Sequence, residues 1–308
     1  MIMRYLKYKL QTEYEKLINP KIDWQGATVY TLHKILQKKT NSKLHSEVLI
    51  DELEAFVSKK INSIKSPEKV ENLYNSSDIL LTIDDGYRTS VYNLLSLARK
   101  YNFKFLAFIN TSGCEGNKYL WPDILDRVII ENNISLLREL NSITSLHTLN
   151  SHLSKNYSLA NLVRRNLLLS NDPEINYKLN EFVINKSLEM NLDTELLSEI
   201  DIRNLSNFNN ICFGAHTHNH INLATNNSQI ITEDIAKNLG YIEKYSSLKP
   251  ASFAYPYGGY EFIKKKNMEI LKDLGLDIAY TTELKPYRNN LMYTLPRVSL
   301  NFHENSAS

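Results

Sequence analysis

Residues 78–109, DILLTIDDGYRTSVYNLLSLARKYNFKFLAFI, contain a strand pattern, a helical pattern and a second strand pattern in succession. DILLTI at 78–83 and KFLAFI at 104–109 are short apolar runs, and SVYNLLSLARKY between them has apolar residues at helical spacing. This order predicts two parallel strands joined by a helical crossover. The segment decides the fold class because the same order recurs along the chain.

The alternation of strand and helix extends to both sides of this segment. ATVYTL at 27–32 is a strand pattern, and a helical pattern follows at 46–61. Downstream, strand patterns at 210–215, 251–255 and 278–282 are separated by helical patterns. A β/α barrel and a doubly wound sheet both satisfy this order.

The region from about 124 to 205 interrupts the alternation. Its pattern is helical and rich in Leu and Asn, with no convincing strand. We interpret it as a helical insertion, which is either a cap on the substrate side or a plain structural addition.

Composition and charge exclude several classes of protein. The 308 residues are 43% hydrophobic, which is typical of a globular protein with a sizeable core. The net charge is only +2, so there is no electrostatic case for a nucleic-acid partner. No apolar run approaches the ~18 residues of a membrane span, and the N-terminal residues lack a secretory signal, so we expect a cytoplasmic protein. A basic helical pattern at 4–17 leaves peripheral membrane contact open.

Metal-ligating side chains follow two of the predicted strands. Asp84 and Asp85 come directly after DILLTI, where burying two carboxylates is costly unless a group such as a cation compensates them. His216, His218 and His220 come directly after NICFGA. They are either metal ligands, a common role of imidazole, or surface histidines of a polar loop. The carboxyl ends of parallel strands carry the active site in such folds, which places both groups there.

The spacing of the histidines allows two arrangements. If the chain turns helical after the strand, His216 and His220 share a face, and His218 points to solvent or to a supporting position. If the chain stays extended, all three histidines share a face. The adjacent carboxylates permit one to bind a metal while the other acts as a base. A third segment, FAYPYGG at 253–259, predicts a turn whose backbone N–H could stabilise an oxyanion.

Together the three segments resemble the motifs of the polysaccharide deacetylases of carbohydrate esterase family four. TIDDG at 82–86 is similar to the family's TFDDG, HTHNH at 216–220 to His-(Ser/Thr)-x-x-His, and FAYPYG at 253–258 to Arg-x-Pro-Tyr. The resemblance implies an α/β fold, a distorted (β/α) barrel of about seven strands. It further implies a single catalytic domain over residues 1–308 that carries the helical insertion at about 124–205.

The resemblance also implies a role for each matching residue. Asp84 is similar to the catalytic base, and Asp85, His216 and His220 to the ligands of a divalent metal, for which Zn²⁺ is the first candidate. Tyr257 is similar to the residue whose backbone N–H contributes to the oxyanion site. His218 falls at a variable position of its motif and has no implied role.

Two positions depart from the family's pattern. Ala254 stands where the family has an arginine that orients the base, and Arg297 in TLPRVSL is the candidate to replace it from another strand. The late Leu-x-x-His motif, which supplies a general acid, has no clear copy near His303. His33, at the end of VYTLH, is the candidate acid instead. Its place before the first motif resembles the circularly permuted arrangement of the poly-N-acetylglucosamine deacetylases.

The implied activity is metal-dependent removal of an N-acetyl group from an amino sugar during surface polysaccharide or glycoconjugate biosynthesis. The sugar substrate is free, nucleotide-linked or lipid-linked. Deformylation of a sugar would use the same groups. The displaced arginine and acid also leave open a catalytically inactive sugar-binding or scaffold protein on the same fold.

Overall fold

The computed structural model describes residues 27–40, 42, 47–67, 77–144, 156–283, 291–300 and 302. The strands in this part of the chain are β1 (Thr28–Leu32), β2 (Lys34–Leu36), β3 (Glu47–Leu49), β4 (Ile79–Ile83), β5 (Phe105–Ile109), β6 (Ile211–Ala215), β7 (Ser252–Ala254), β8 (Ile278–Tyr280) and β9 (Val298–Ser299). The α-helices are α1 (Ile50–Lys60), α2 (Arg88–Lys100), α3 (Trp121–Ile130), α4 (Ile134–Ile143), α5 (Asn156–Leu168), α6 (Ile175–Asn185), α7 (Glu199–Leu205), α8 (Ser228–Ser246) and α9 (Lys265–Asp273).

Seven of the strands form one parallel sheet in the order β8-β7-β6-β5-β4-β1-β9. A single C-terminal segment contacts both edges of this sheet. β9 pairs with β1, while Leu295, shortly before β9, forms a parallel bridge with Tyr280 in β8. The Leu295 N–H donates to the Ala279 carbonyl at 2.9 Å, and the Thr281 N–H donates to the Leu295 carbonyl at 2.9 Å. The sheet therefore curls until one segment joins its two edges. This confirms the distorted (β/α) barrel and excludes the doubly wound sheet.

Both faces of the sheet are buried, which explains why its strands have continuous apolar sequences rather than alternating ones. The inward-facing side chains form one cluster, which comprises Ala27, Val29, Leu80, Leu106, Phe108, Ala254, Tyr280 and Leu295. The outward-facing ones, such as Leu81, Ile83 and Phe105, pack under the surrounding helices in a second, larger cluster. Phe108 lies opposite Gly214, where an added Cβ would be only 2.4 Å from the Phe108 ring. The interior is therefore filled by side chains rather than open.

The described residues between β5 and β6 contain α3 to α7, in the stretch that the sequence predicts as a helical insertion. Side chains of α3 to α6 form an apolar cluster of their own, separate from the barrel clusters, with Ile124, Leu137, Val163 and Leu179 among its buried members. Tyr257, from the segment after β7, packs against this cluster. The extent of a single domain over residues 1–308 stays a prediction.

The small parallel sheet of β2 and β3 was not predicted from the sequence. The helical pattern at 46–61 begins with β3, and only Ile50–Lys60 is helical. A three-residue apolar strand is too short to be distinguished by its periodicity from the first turn of a helix. The basic pattern at 4–17 and His303 lie outside the described residues. Within the described part of the chain, no helix is long and apolar enough to cross a membrane.

Candidate active site

Asp85, His216 and His220 converge at the carboxyl ends of β4 and β6. One ligand atom from each lies within 4.8 Å of the other two, and all three residues are buried. The Nε2 atoms of both histidines lie 3.2 Å from Asp85 Oδ1. Two ligand atoms on one tetrahedral ion, at the bond lengths usual for Zn²⁺, are about 3.3–3.6 Å apart. The donor set and its spacing therefore fit a divalent cation such as Zn²⁺.

The segment that carries the histidines adopts neither of the two conformations considered from the sequence. It is neither helical nor extended, because Thr217 and His220 have left-handed φ angles of 63° and 51°. These two residues redirect the chain, so the rings of His216 and His220 lie side by side with their centroids 5.0 Å apart. Non-glycine residues rarely adopt this conformation, and at ligand loops it commonly serves to aim side chains.

His218 points away from the three candidate metal ligands but not into solvent, because it is 0% exposed. Its Nδ1 lies 2.9 Å from the Thr111 hydroxyl and its Nε2 lies 3.0 Å from the Glu115 carboxylate. Its ring stacks on Tyr241 with the centroids 5.4 Å apart. The third histidine of the segment is thus a buried member of a separate polar cluster beside the site, which extends to the surface at Glu115.

The imidazole of His216 is oriented by the backbone of β7. Its Nδ1 donates a hydrogen bond to the Ala254 carbonyl at 2.8 Å, which directs Nε2 toward Asp85. A hydrogen bond from the far ring nitrogen is the usual way in which proteins fix the tautomer of a ligating histidine.

The backbone conformation directs the two adjacent carboxylates to different sides of the chain. Asp85 has a left-handed φ of 71°, so its side chain turns to the histidines while that of Asp84 turns the other way. Burial raises the pKa of Asp85, but hydrogen bonds from His216 and His220 outweigh it and leave that pKa well below the usual range. The carboxyl is therefore ionised, which is the form that binds a metal.

Arg297 and Asp84 form a buried, bidentate ion pair. Arg297 Nη1 and Nη2 donate to the two oxygens of Asp84, each at 2.6 Å, and Arg297 is 0% exposed. The same guanidinium donates to the hydroxyl of Thr82 at 3.1 Å and lies over the ring of Phe108, 5.2 Å from its centroid. Burial raises the pKa of Asp84, but the charge of Arg297 opposes this and leaves that pKa below its usual value. Ala254 stands where the family has the arginine that orients the base, and Arg297 lies beside Asp84 instead.

His33 lies at the same end of the barrel, directly after β1. Its Nε2 is 4.0 Å from Asp84 Oδ2, and its side chain is 32% exposed. Burial lowers the pKa of His33, and the charges of Asp85 and Asp84 oppose this only in part. A group with a lowered pKa is a stronger acid, but it holds its proton over a narrower pH range. The role of His33 as the acid stays a prediction.

Tyr257 is held in a tight turn after β7. It has a left-handed φ of 65°, and Gly258 follows with 66°. A Cβ on Gly258 would lie 2.4 Å from the Thr282 side chain, so only glycine fits there. The Tyr257 ring meets the ring of His220 edge-on at 4.8 Å. Trp121 is buried and donates through Nε1 to the Tyr257 hydroxyl at 2.9 Å.

Two residues of α8 that the sequence did not predict as site residues hold residues 216–222, the histidine segment. Asp234 accepts hydrogen bonds from the backbone N–H groups of His218 at 2.7 Å and Asn219 at 3.2 Å. Asn238 accepts from the His216 N–H at 3.1 Å and donates to the Ile109 carbonyl at 3.0 Å. The available signal was a pair of polar side chains, four residues apart, on a helix face that is otherwise apolar.

Residues 175–279 match the family model described as polysaccharide deacetylase. This confirms the resemblance to the polysaccharide deacetylases. The matched residues contain His216, His220 and Tyr257, while Asp84 and Asp85 lie before them. None of the curated proteins matches the sequence.

Solved structures with the same fold include three deacetylase-related proteins. Deacetylase PplD from Streptococcus pyogenes, in complex with acetate, is 14% identical with a TM-score of 0.55, covering 90% of this chain and 92% of that one. IcaB from Ammonifex degensii is 14% identical with a TM-score of 0.51, over 90% and 92% of the two chains. A de-N-acetylase from Aggregatibacter actinomycetemcomitans is 11% identical with a TM-score of 0.53, over 89% and 95%. At these identities the likeness shows the fold.

Proposed function

We propose that this protein is a metal-dependent hydrolase that removes an N-acetyl group from an amino sugar. One observation carries the proposal. Two adjacent carboxylates are held in different ways, Asp85 against two imidazoles and Asp84 against a buried guanidinium. That division suits a metal ligand beside a base, and it follows the motif order of the polysaccharide deacetylases.

The roles of the protein side chains follow from their positions. When a divalent cation is bound by Asp85, His216 and His220, it supplies a water of lowered pKa and polarisation of the acetyl carbonyl. Asp84 accepts the proton of the attacking water, and Arg297 keeps that carboxylate ionised and oriented.

The remaining groups act on the amide of the substrate. The backbone N–H of Tyr257 donates to the oxygen that becomes negative as the water oxygen bonds to the acetyl carbon. His33 gives a proton to the nitrogen as the C–N bond breaks, so the products are acetate and a free amino sugar.

The substrate class rests on the motifs and on the family match. An acetylated amino sugar in a surface polysaccharide or glycoconjugate pathway is proposed, whether free, nucleotide-linked or lipid-linked. The acetate bound to deacetylase PplD is the acyl product expected here. The cytoplasmic location stays a prediction.

The test combines metal analysis with an assay for acetate and formate on N-acetylated and N-formylated amino sugars and their short oligomers. Asp84→Asn should keep the metal and lose about 10²–10⁴ in turnover, because only the base is removed. Asp85→Asn should lose metal and turnover together. Asp51→Asn, at an exposed position in α1, is the matched control and should change neither.

Each contrary outcome has a separate meaning. Formate release without acetate would identify a deformylase. A wild-type protein that binds metal but releases neither acid would favour the inactive sugar-binding alternative. Equal metal loss in both carboxylate variants would mean that Asp84 is a ligand and not the base.

A further inference from the structure

The side chain of Tyr257 connects a metal-ligating residue to the helical insertion. Its hydroxyl donates to the backbone carbonyl of His220 at 3.1 Å and accepts from Trp121 Nε1 at 2.9 Å. Trp121 is the first residue of α3, and its ring packs in the apolar cluster of the insertion. Three parts of the molecule therefore meet at one phenol oxygen: the barrel turn after β7, the histidine segment and the insertion.

The hydrogen bond from the Tyr257 hydroxyl reaches His220, a residue whose backbone conformation is unfavourable by itself. His220 has a left-handed φ of 51°, a conformation that costs free energy for a residue with a Cβ and persists only when its surroundings impose it. The Tyr257 hydroxyl fixes the carbonyl of this residue, and the Tyr257 ring contacts its imidazole edge-on at 4.8 Å. Backbone and side chain of His220 are thus both constrained by one residue.

The insertion holds the histidine segment at two further points. Asn176 in α6 donates through Nδ2 to the Asn219 carbonyl at 2.5 Å, and its Oδ1 accepts from the Trp121 backbone N–H at 3.0 Å. Asn222 donates to the Leu168 carbonyl at 2.7 Å. These contacts lie on either side of His220, so the insertion fastens the chain before and after that ligand.

We propose that the hydroxyl of Tyr257 is a positioning group that holds His220 in its metal-binding conformation, with Trp121 and the helical insertion as its support. The inference rests on the proposed metal site. It gives the insertion a function beyond that of a cap or a plain addition, namely to support one ligand from outside the barrel. It also adds a side-chain role to Tyr257, which the motif resemblance assigns only a backbone one.

The test is the Zn²⁺ affinity of metal-free protein, measured by competition with a chelating indicator. Tyr257→Phe keeps the ring and the backbone N–H and removes one hydroxyl, so it should lower the affinity about 10–100-fold, as loss of a group that orients a ligand usually does. Trp121→Phe removes only the supporting donor and should lower the affinity less. The double variant should add little to Tyr257→Phe, because both substitutions break the same connection.

A matched control separates this role from a structural one. Tyr177→Phe removes a hydroxyl from the same insertion at a position that is 54% exposed, and should leave the affinity unchanged. A merely structural role for Tyr257 would lower the melting temperature of the metal-free protein without changing the affinity of the folded protein. Equal affinities in wild type and Tyr257→Phe would overturn the inference alone. Failure of the wild type to bind Zn²⁺ would overturn the proposed function with it.

Discussion

Replacing Arg297 with methionine should destabilise the protein strongly and raise the pKa of the carboxyl of Asp84. Methionine keeps an unbranched chain of similar length but removes the guanidinium that donates to both oxygens of Asp84 at 2.6 Å. Asp84 is only 2% exposed, so water cannot replace the lost partner. The variant retains a buried carboxyl without its countercharge.

The magnitude follows from the burial of this pair. Removing one partner of a buried ion pair costs about 3–5 kcal/mol. With about 2.1 cal/mol/K of unfolding entropy per residue, a chain of this length has roughly 650 cal/mol/K, so the melting temperature should fall by about 5–8 °C. Removing one partner of an isolated ion pair on the surface would cost about 1 kcal/mol or less.

The pH dependence of the stability lost in Arg297→Met identifies the cause of that loss. In the wild type the pKa of Asp84 is below its usual value, so this group stabilises the fold above its unfolded pKa and loses that effect as pH falls. Without Arg297, burial raises the pKa of Asp84, and the ionised carboxylate destabilises the fold at neutral pH. The stability difference between variant and wild type should therefore shrink as pH falls toward ~4. The acid limb of the activity profile should move to higher pH.

The assay is denaturant unfolding of metal-free protein between pH 8 and pH 4. Arg297→Met combined with Asp84→Asn should recover much of the lost stability, because no buried charge is then left unpaired. Arg127→Met breaks a partly exposed pair with Glu131, 2.8 Å long, and serves as the control with a small effect. The reasoning is refuted if Arg297→Met lowers the free energy of unfolding no more than Arg127→Met does. It is also refuted if the double variant is no more stable than Arg297→Met alone.

Two other histidines give further predictions. His33→Ala should keep the metal, lose about 10²–10⁴ in rate and flatten the alkaline limb of the pH profile; full activity would rule out His33 as the acid. Burial lowers the pKa of His218 from 6.5 to about 4, so the wild type should lose stability as pH falls between these values, since the unfolded chain binds that proton first. His218→Gln should reduce this loss in urea unfolding at pH 7 and pH 5, with near-normal metal content. An equal acid sensitivity in both proteins would contradict the role given to His218.

The features that sequence reasoning predicted well are local ones. The β4–α2–β5 unit follows from two apolar runs around a helical pattern, because strand and helix periodicities are properties of consecutive residues. The position of Asp84, Asp85 and the histidines at strand ends follows in the same way, and parallel strands bring such ends to one rim. The resemblance to the polysaccharide deacetylases, confirmed by the family match, also rests on short motifs.

The tertiary structure decided which distant groups meet. Asp84 and Arg297 are 213 residues apart, and they pair because the C-terminal segment bridges the two edges of the sheet. Trp121 and Tyr257, 136 residues apart, meet because the insertion packs against the turn after β7. Left-handed φ angles at residues such as His220 are imposed by such contacts against the local preference of the chain. Local pattern therefore determined the elements and the candidate residues, whereas closure of the barrel decided their partners.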